Sequence, residues 1–172
     1  MLTVRAPESG IPQLSLCEGR TLGSGLSSIG QAQPVALASG DFDGDGMPDL
    51  VSGFSSGNSG RIAIHRGNVN ALWPYGAALR NGPPPAFLPN PRSFSIPESP
   101  DFIAIGDFDA DGRLDIVTAH PGSSNLYFLR GDGRGGFGAA QPVPLGGAIT
   151  AMISGEINRA DGLADIVVAV NT

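Results

Sequence analysis

The chain has 172 residues, 41% of them hydrophobic, and a formal net charge of −6. Its 26 glycines and 15 prolines, with no sustained apolar spacing at i, i+3 and i+4, exclude a helical bundle, and the glycines lack the three-residue period of collagen. Short alternating apolar runs exclude disorder and place the chain among all-β proteins of single-domain length. Twelve of the 16 acidic residues are Asp, and ten of those fall in three short loops, so the acidity is local and of a cation-binding kind. The ten cationic residues are all Arg and are scattered. No basic stripe exists to neutralise phosphates, and nucleic acid is not an expected partner. The single cysteine, Cys17, cannot form an internal disulfide and reads as a small core residue. No apolar run approaches the ~18 residues that span a bilayer. The first five residues lack a signal-peptide core, so the chain is expected to use another route or to be an internal piece of a longer one.

In chain order, residues 1–30 offer two candidate strands, 2–5 and 21–29, which would complete a neighbouring blade. A strand over 35–39 then leads into the loop Asp41-Phe42-Asp43-Gly44-Asp45-Gly46-Met47-Pro48-Asp49. Strands over 50–54 and 61–66 follow, the latter alternating as a half-buried strand should. The same order returns with a strand over 102–105, the loop Asp107-Phe108-Asp109-Ala110-Asp111-Gly112-Arg113-Leu114-Asp115, and strands over 114–119, 126–130 and 139–145. A third, looser copy has strands over 149–153 and 165–170 around Glu156, Asn158, Asp161 and Asp165, with one extra residue in its loop. Each unit is predicted to be a four-stranded antiparallel meander with the acidic loop between its first two strands. Units of this kind, repeated with glycine-rich turns, are what propeller blades look like in sequence. The expected division is a first blade over 31–100, a second over 101–147 and half of a third over 148–172. A Pro-rich insertion at about 68–91 interrupts the first blade and is long enough to be functional. It should lie on the same edge as the acidic loops, and its Trp73 and Tyr75 are candidate anchors for a partner.

Four carboxylates in nine residues repel one another unless something neutralises them. Oxygen ligands at positions one, three, five and nine, with a backbone carbonyl at seven, suit a hard cation of the size of Ca²⁺. The first site would use Asp41, Asp43, Asp45, the Met47 carbonyl and Asp49. The second would use Asp107, Asp109, Asp111, the Arg113 carbonyl and Asp115. Mg²⁺ fits less well, because it retains waters and prefers substrate phosphates. The third loop reads equally as a weaker site or as a structural turn. An EF-hand is excluded: the twelfth position is Ser52 or Thr118 in place of Glu, and strands flank the loop where helices would be required.

These loops, together with Gly136-Phe137-Gly138-Ala139-Ala140-Gln141-Pro142, resemble the FG-GAP/VCBS repeats of integrin-α-type β-propellers over about residues 28–170. The resemblance implies a partial propeller with structural Ca²⁺, acting in binding or adhesion outside the cell or at its surface, with a protein or glycan ligand. It equally allows an accessory propeller of a secreted carbohydrate- or lipid-active enzyme whose catalytic part lies elsewhere. No catalytic set is expected within the chain: His65 and His120 have no partner in a recognisable catalytic order. Arg130-Gly131-Asp132 spells an adhesion tripeptide. Because Arg66-Gly67-Asn68 holds the same place in the first unit, it reads as the end of a strand. An open terminal blade would leave strand edges and an apolar face uncovered, so self-association or continuation in a longer chain is expected.

Overall fold

A computed structural model describes residues 2–5, 13–16, 32–72, 84–158 and 161–172. Cys17, the strand expected over 21–29, and Trp73 and Tyr75 lie outside the described residues. β1 (Leu2–Arg5) pairs antiparallel with β2 (Gln13–Leu16), a strand the sequence reading did not place.

Two four-stranded antiparallel meanders follow. The first is β3 (Gln33–Gly40), β4 (Asp49–Ser56), β5 (Ser59–His65) and β6 (Arg92–Ile96), hydrogen-bonded in that order. A one-turn helix, α1 (Val69–Leu72), opens the insertion between β5 and β6. The second meander is β7 (Phe102–Gly106), β8 (Asp115–Ala119), β9 (Asn125–Leu129) and β10 (Gln141–Pro144). β11 (Ala148–Gly155) and β12 (Asp165–Asn171) form a third, two-stranded sheet. The chain is all-β as its composition requires. No helix among the described residues is long and apolar enough to cross a membrane.

The first strands of the three sheets lie side by side, β7 between β3 and β11. This stacks the sheets face to face, and residue alternation then assigns each apolar side chain to one interface. Val51, Ile62, Ile64 and Ile96 of the first sheet share a buried cluster with Ile116, Tyr127 and Leu129 of the second. On the other face of the second sheet, Val117, Ala119 and Leu126 cluster with Ile149, Met152, Ile166 and Val168 of the third. Ile116 and Val117 are adjacent in β8 and point to opposite interfaces, so every residue of β8 is buried. That is why the strand reads as a continuous apolar run. Each such Ile contributes about 2–3 kcal/mol by leaving water. In the third sheet the same alternation puts Ile166 inside and leaves Val167 and Ile153 exposed.

β6 escaped the sequence reading because prolines flank it. Only Phe94 and Ile96 carry its alternation, with Ser95 between them and Ser93 before. Its pairing of Gly60 with Ile96 and Ile62 with Phe94 completes the first meander after the insertion.

Candidate metal sites

Each acidic loop begins where a first strand ends. In the first loop Asp41 folds the chain around itself: its Oδ1 accepts from Gly44 N at 2.8 Å and Asp45 N at 3.2 Å, and its Oδ2 from Gly46 N at 2.9 Å. Gly44 and Gly46 take left-handed φ values of 71° and 85°, which allow this wrap without strain. The second loop repeats it, with Asp107 accepting from Asp111 N and Gly112 N. There Ala110 stands in Gly44's place at φ 62°, a conformation that costs a residue with a Cβ about 1–2 kcal/mol.

The ninth-position aspartates open β4 and β8 and are almost fully buried. Asp49 Oδ2 accepts from Phe42 N at 3.1 Å, and Oδ1 from Gly67 N, just beyond β5, at 2.7 Å. Asp115 does the same with Phe108 N at 3.1 Å and Gly131 N at 2.8 Å. Each of these carboxylates therefore laces the acidic loop to the end of the third strand. Burial pushes both carboxyls above the usual carboxylate value. The backbone donors act against that shift, and Asp43 and Asp45, or Asp109 and Asp111, add to it. A Cβ at Gly131 would strike the Leu114 carbonyl oxygen, so this close approach requires glycine.

One oxygen each from Asp41, Asp43 and Asp49 lies within 4.8 Å of the others, and Asp107, Asp109 and Asp115 form the equivalent group. Asp45 and Asp111 stand outside these groups, each closing a turn by accepting from Met47 N at 2.8 Å and Arg113 N at 3.0 Å. Three arginines lean on the acidic loops, Arg113 the most loosely, with Nη1 3.5 Å from Asp111 Oδ2. Arg66, just after β5, pairs through Nε and Nη2 with Asp43 Oδ2. Arg130, just after β9, places Nε 2.6 Å from Asp109 Oδ2 and Nη2 3.0 Å from Asp111 Oδ2. Neither approach to Asp111 Oδ2 is aligned as a hydrogen bond, so this buried oxygen has no hydrogen-bond donor. All-oxygen groups with a buried, donor-free oxygen beside one of them fit a hard divalent cation.

The third loop is arranged differently. Asp165 Oδ2 accepts from Ile157 N and Asn158 N, both at 2.9 Å, and Oδ1 from Asn158 Nδ2 at 2.7 Å. Glu156 accepts from Asp161 N, and Asp161 from Leu163 N. The described residues of this loop contribute no three-carboxylate group. Among the described residues no third strand of this sheet supplies a glycine N–H, and the Asn158 amide takes that role.

The sites sit at the joins between sheets. Gly135 N donates to Phe42 O at 3.0 Å, and Ala164 N to Asp107 O at 3.3 Å, so each loop is held by the next unit. Phe137 stands edge-on to Phe42 and Phe94, with centroids 5.2 and 5.5 Å away. The Gly131–Phe137 bridge has a counterpart in Gly67–Phe87, which the sequence reading missed because the insertion separates its halves. The insertion thus springs from beside the first loop, where Asn68 N donates to Ala86 O and Leu88 N to Arg66 O. Between the two loops runs an open groove whose charged walls are Asp41, Arg113, Asp132 and Arg134.

Both histidines have partners that the sequence did not reveal. His65 Nε2 lies 2.9 Å from Ser52 Oγ, and His120 Nδ1 lies 2.7 Å from Asp101 Oδ2. Ser52 and His65 are sealed in the sheet, and burial lowers the His65 pKa to about 4, so the pair is structural. Asp132 of the Arg-Gly-Asp tripeptide closes its own turn by accepting from Arg134 N and Gly136 N.

Residues 34–65 match a family model described as an FG-GAP repeat, and residues 107–168 match one described as an FG-GAP-like repeat. No curated protein and no solved structure matches the chain.

Proposed function

Because the chain is an FG-GAP repeat protein, of a class whose repeats form propeller blades and are generally non-catalytic, we propose that it is a calcium-binding propeller module for extracellular or cell-surface recognition. The observation that carries the metal reading is the duplicated three-carboxylate group, built at the same place in two successive blades. Asp41, Asp43, Asp45, the Met47 carbonyl and Asp49 would hold one ion, and Asp107, Asp109, Asp111, the Arg113 carbonyl and Asp115 the other. The bound ion would supply neutralising charge. The chain's own residues do the rest: Asp49 and Asp115 join loop to sheet, and the loops meet the following blade through Phe42 and Asp107. The role of Ca²⁺ is therefore to stiffen the face on which the loops, the mixed-charge groove and the root of the insertion lie together. A protein or glycan is the partner this polar groove suits.

Thermal melting in Ca²⁺, in Mg²⁺ and in EDTA tests the reading. Ion at about 100 times its Kd stabilises by ~2.7 kcal/mol per site. Two sites then raise Tm by about 10–20 °C at this chain length. Mg²⁺ should give a much smaller rise, and Asp43→Ala and Asp109→Ala should each remove about half of the calcium effect. Superimposable melts in all three solutions would end the calcium proposal.

A further inference from the structure

Each four-stranded blade follows its third strand with an Arg-Gly pair, and both residues reach the acidic loop of the same blade. The glycine N–H is pinned to the ninth-position carboxylate, at Gly67 and Gly131. The arginine side chain extends to the other carboxylates: Arg66 to Asp43, and Arg130 to Asp109 and Asp111. Asp43 and Asp109 are also members of the three-oxygen groups. The arginine therefore rests on carboxylates that a divalent cation would need.

We propose that Arg66 and Arg130 are resident counter-cations, which neutralise the loops in the metal-free protein and are displaced when a divalent ion takes the same carboxylates. This rests on the metal-binding reading above. A guanidinium cannot be deprotonated at any working pH, so it leaves only by moving. The accessibilities show which partner can move. The Arg66 and Arg130 side chains are 40% and 55% exposed, whereas those of Asp43, Asp109 and Asp111 are 5%, 27% and 15% exposed. The carboxylates are the less exposed partner in each pair, and the arginines can swing into water. The glycine that follows each arginine anchors the backbone, so the swing need not disturb Asp49 or Asp115. In the third loop Asp165 is satisfied by amides instead.

An ordinary stabilising salt bridge and a displaceable counter-cation differ in sign. Removing either should weaken the metal-free fold slightly, but only removal of a competitor tightens metal binding. The test is calorimetric titration of CaCl₂ into the whole, chelator-stripped chain, with melting of the same samples in EDTA. Arg66→Gln and Arg130→Gln are compared with wild type and with Arg61→Gln. Arg61 enters β5 at the end remote from the loop and changes net charge equally. We expect each loop variant to melt slightly lower in EDTA yet bind Ca²⁺ about fivefold more tightly at one site, the weight of one partly exposed ion pair. Arg61→Gln should leave affinity unchanged. Binding by wild type that is unaltered or weakened in both loop variants overturns the proposal and leaves the calcium reading intact. Absence of binding in wild type and variants alike removes both.

Discussion

Replacing Asp115 by Ala separates the lacing role of the ninth-position carboxylate from metal ligation. Asp115 is wholly buried and accepts from Phe108 N and Gly131 N. Alanine leaves both N–H groups without an acceptor, at about 1–3 kcal/mol each. Relief of repulsion with Asp109 and Asp111 returns part of that. The expected net loss is ~3 kcal/mol in EDTA, where no ion contributes. At about 2–4 °C per kcal/mol for a chain of this size, the melting temperature should fall by roughly 6–12 °C. Asp109→Ala is the contrast: its partner is the exposed Arg130, and the pair contributes at most about 1 kcal/mol. Differential scanning fluorimetry of both variants in EDTA, with circular dichroism to confirm folding, makes the comparison. The reasoning fails if Asp115→Ala melts with wild type, or if Asp109→Ala falls further than Asp115→Ala.

The buried His65 predicts an acid sensitivity: the unfolded chain protonates it near pH 6.5, whereas the folded state resists until about 4. The folded state binds fewer protons in that window, so stability should fall as pH drops through it, by ~3 kcal/mol in all. His65→Leu, which introduces the residue that Leu129 provides in the second blade, should flatten urea-midpoint curves between pH 7 and 4. Asp49 and Asp115 act in the opposite sense towards low pH and cancel in the comparison, and equal slopes for both proteins would refute the assignment. The outer face of the third sheet repeats the positions that join the other sheets, and Ile153 and Val167 lie exposed there. Sedimentation velocity should show concentration-dependent association that Ile153→Asp with Val167→Asp abolishes; association unaffected by the pair would place the contact elsewhere.

The acidic loops and the strands around them were legible because both signals are local. Aspartate spacing with Gly46 or Gly112 marks the loop, and short apolar runs mark the strands after it. What the sequence concealed depends on contacts distant along the chain. Asp49 reads as one more ligand, yet its partner Gly67 becomes visible only once β5 returns beside β4. The pairing of Arg66 with Asp43 is hidden for the same reason. Phe87 is masked by the insertion that separates it from Gly67, although it bridges as Phe137 does in the second blade. β2 and β6 are short, and the prolines near β6 break the only pattern that could have announced it. The third loop carries the acidic signature, but no strand among the described residues completes its geometry as β5 and β9 do in the other two, so spacing alone left its role open.

In the proposed reading, each of the first two acidic loops holds a calcium site built from the same parts. Equilibrium calcium titration of the chelator-stripped chain tests it most directly. Two bound ions per chain are expected, one in Asp43→Ala and one in Asp109→Ala, and still two in Asn158→Ala. A third ion that Asn158→Ala removes, or no saturable calcium binding at all, would contradict it.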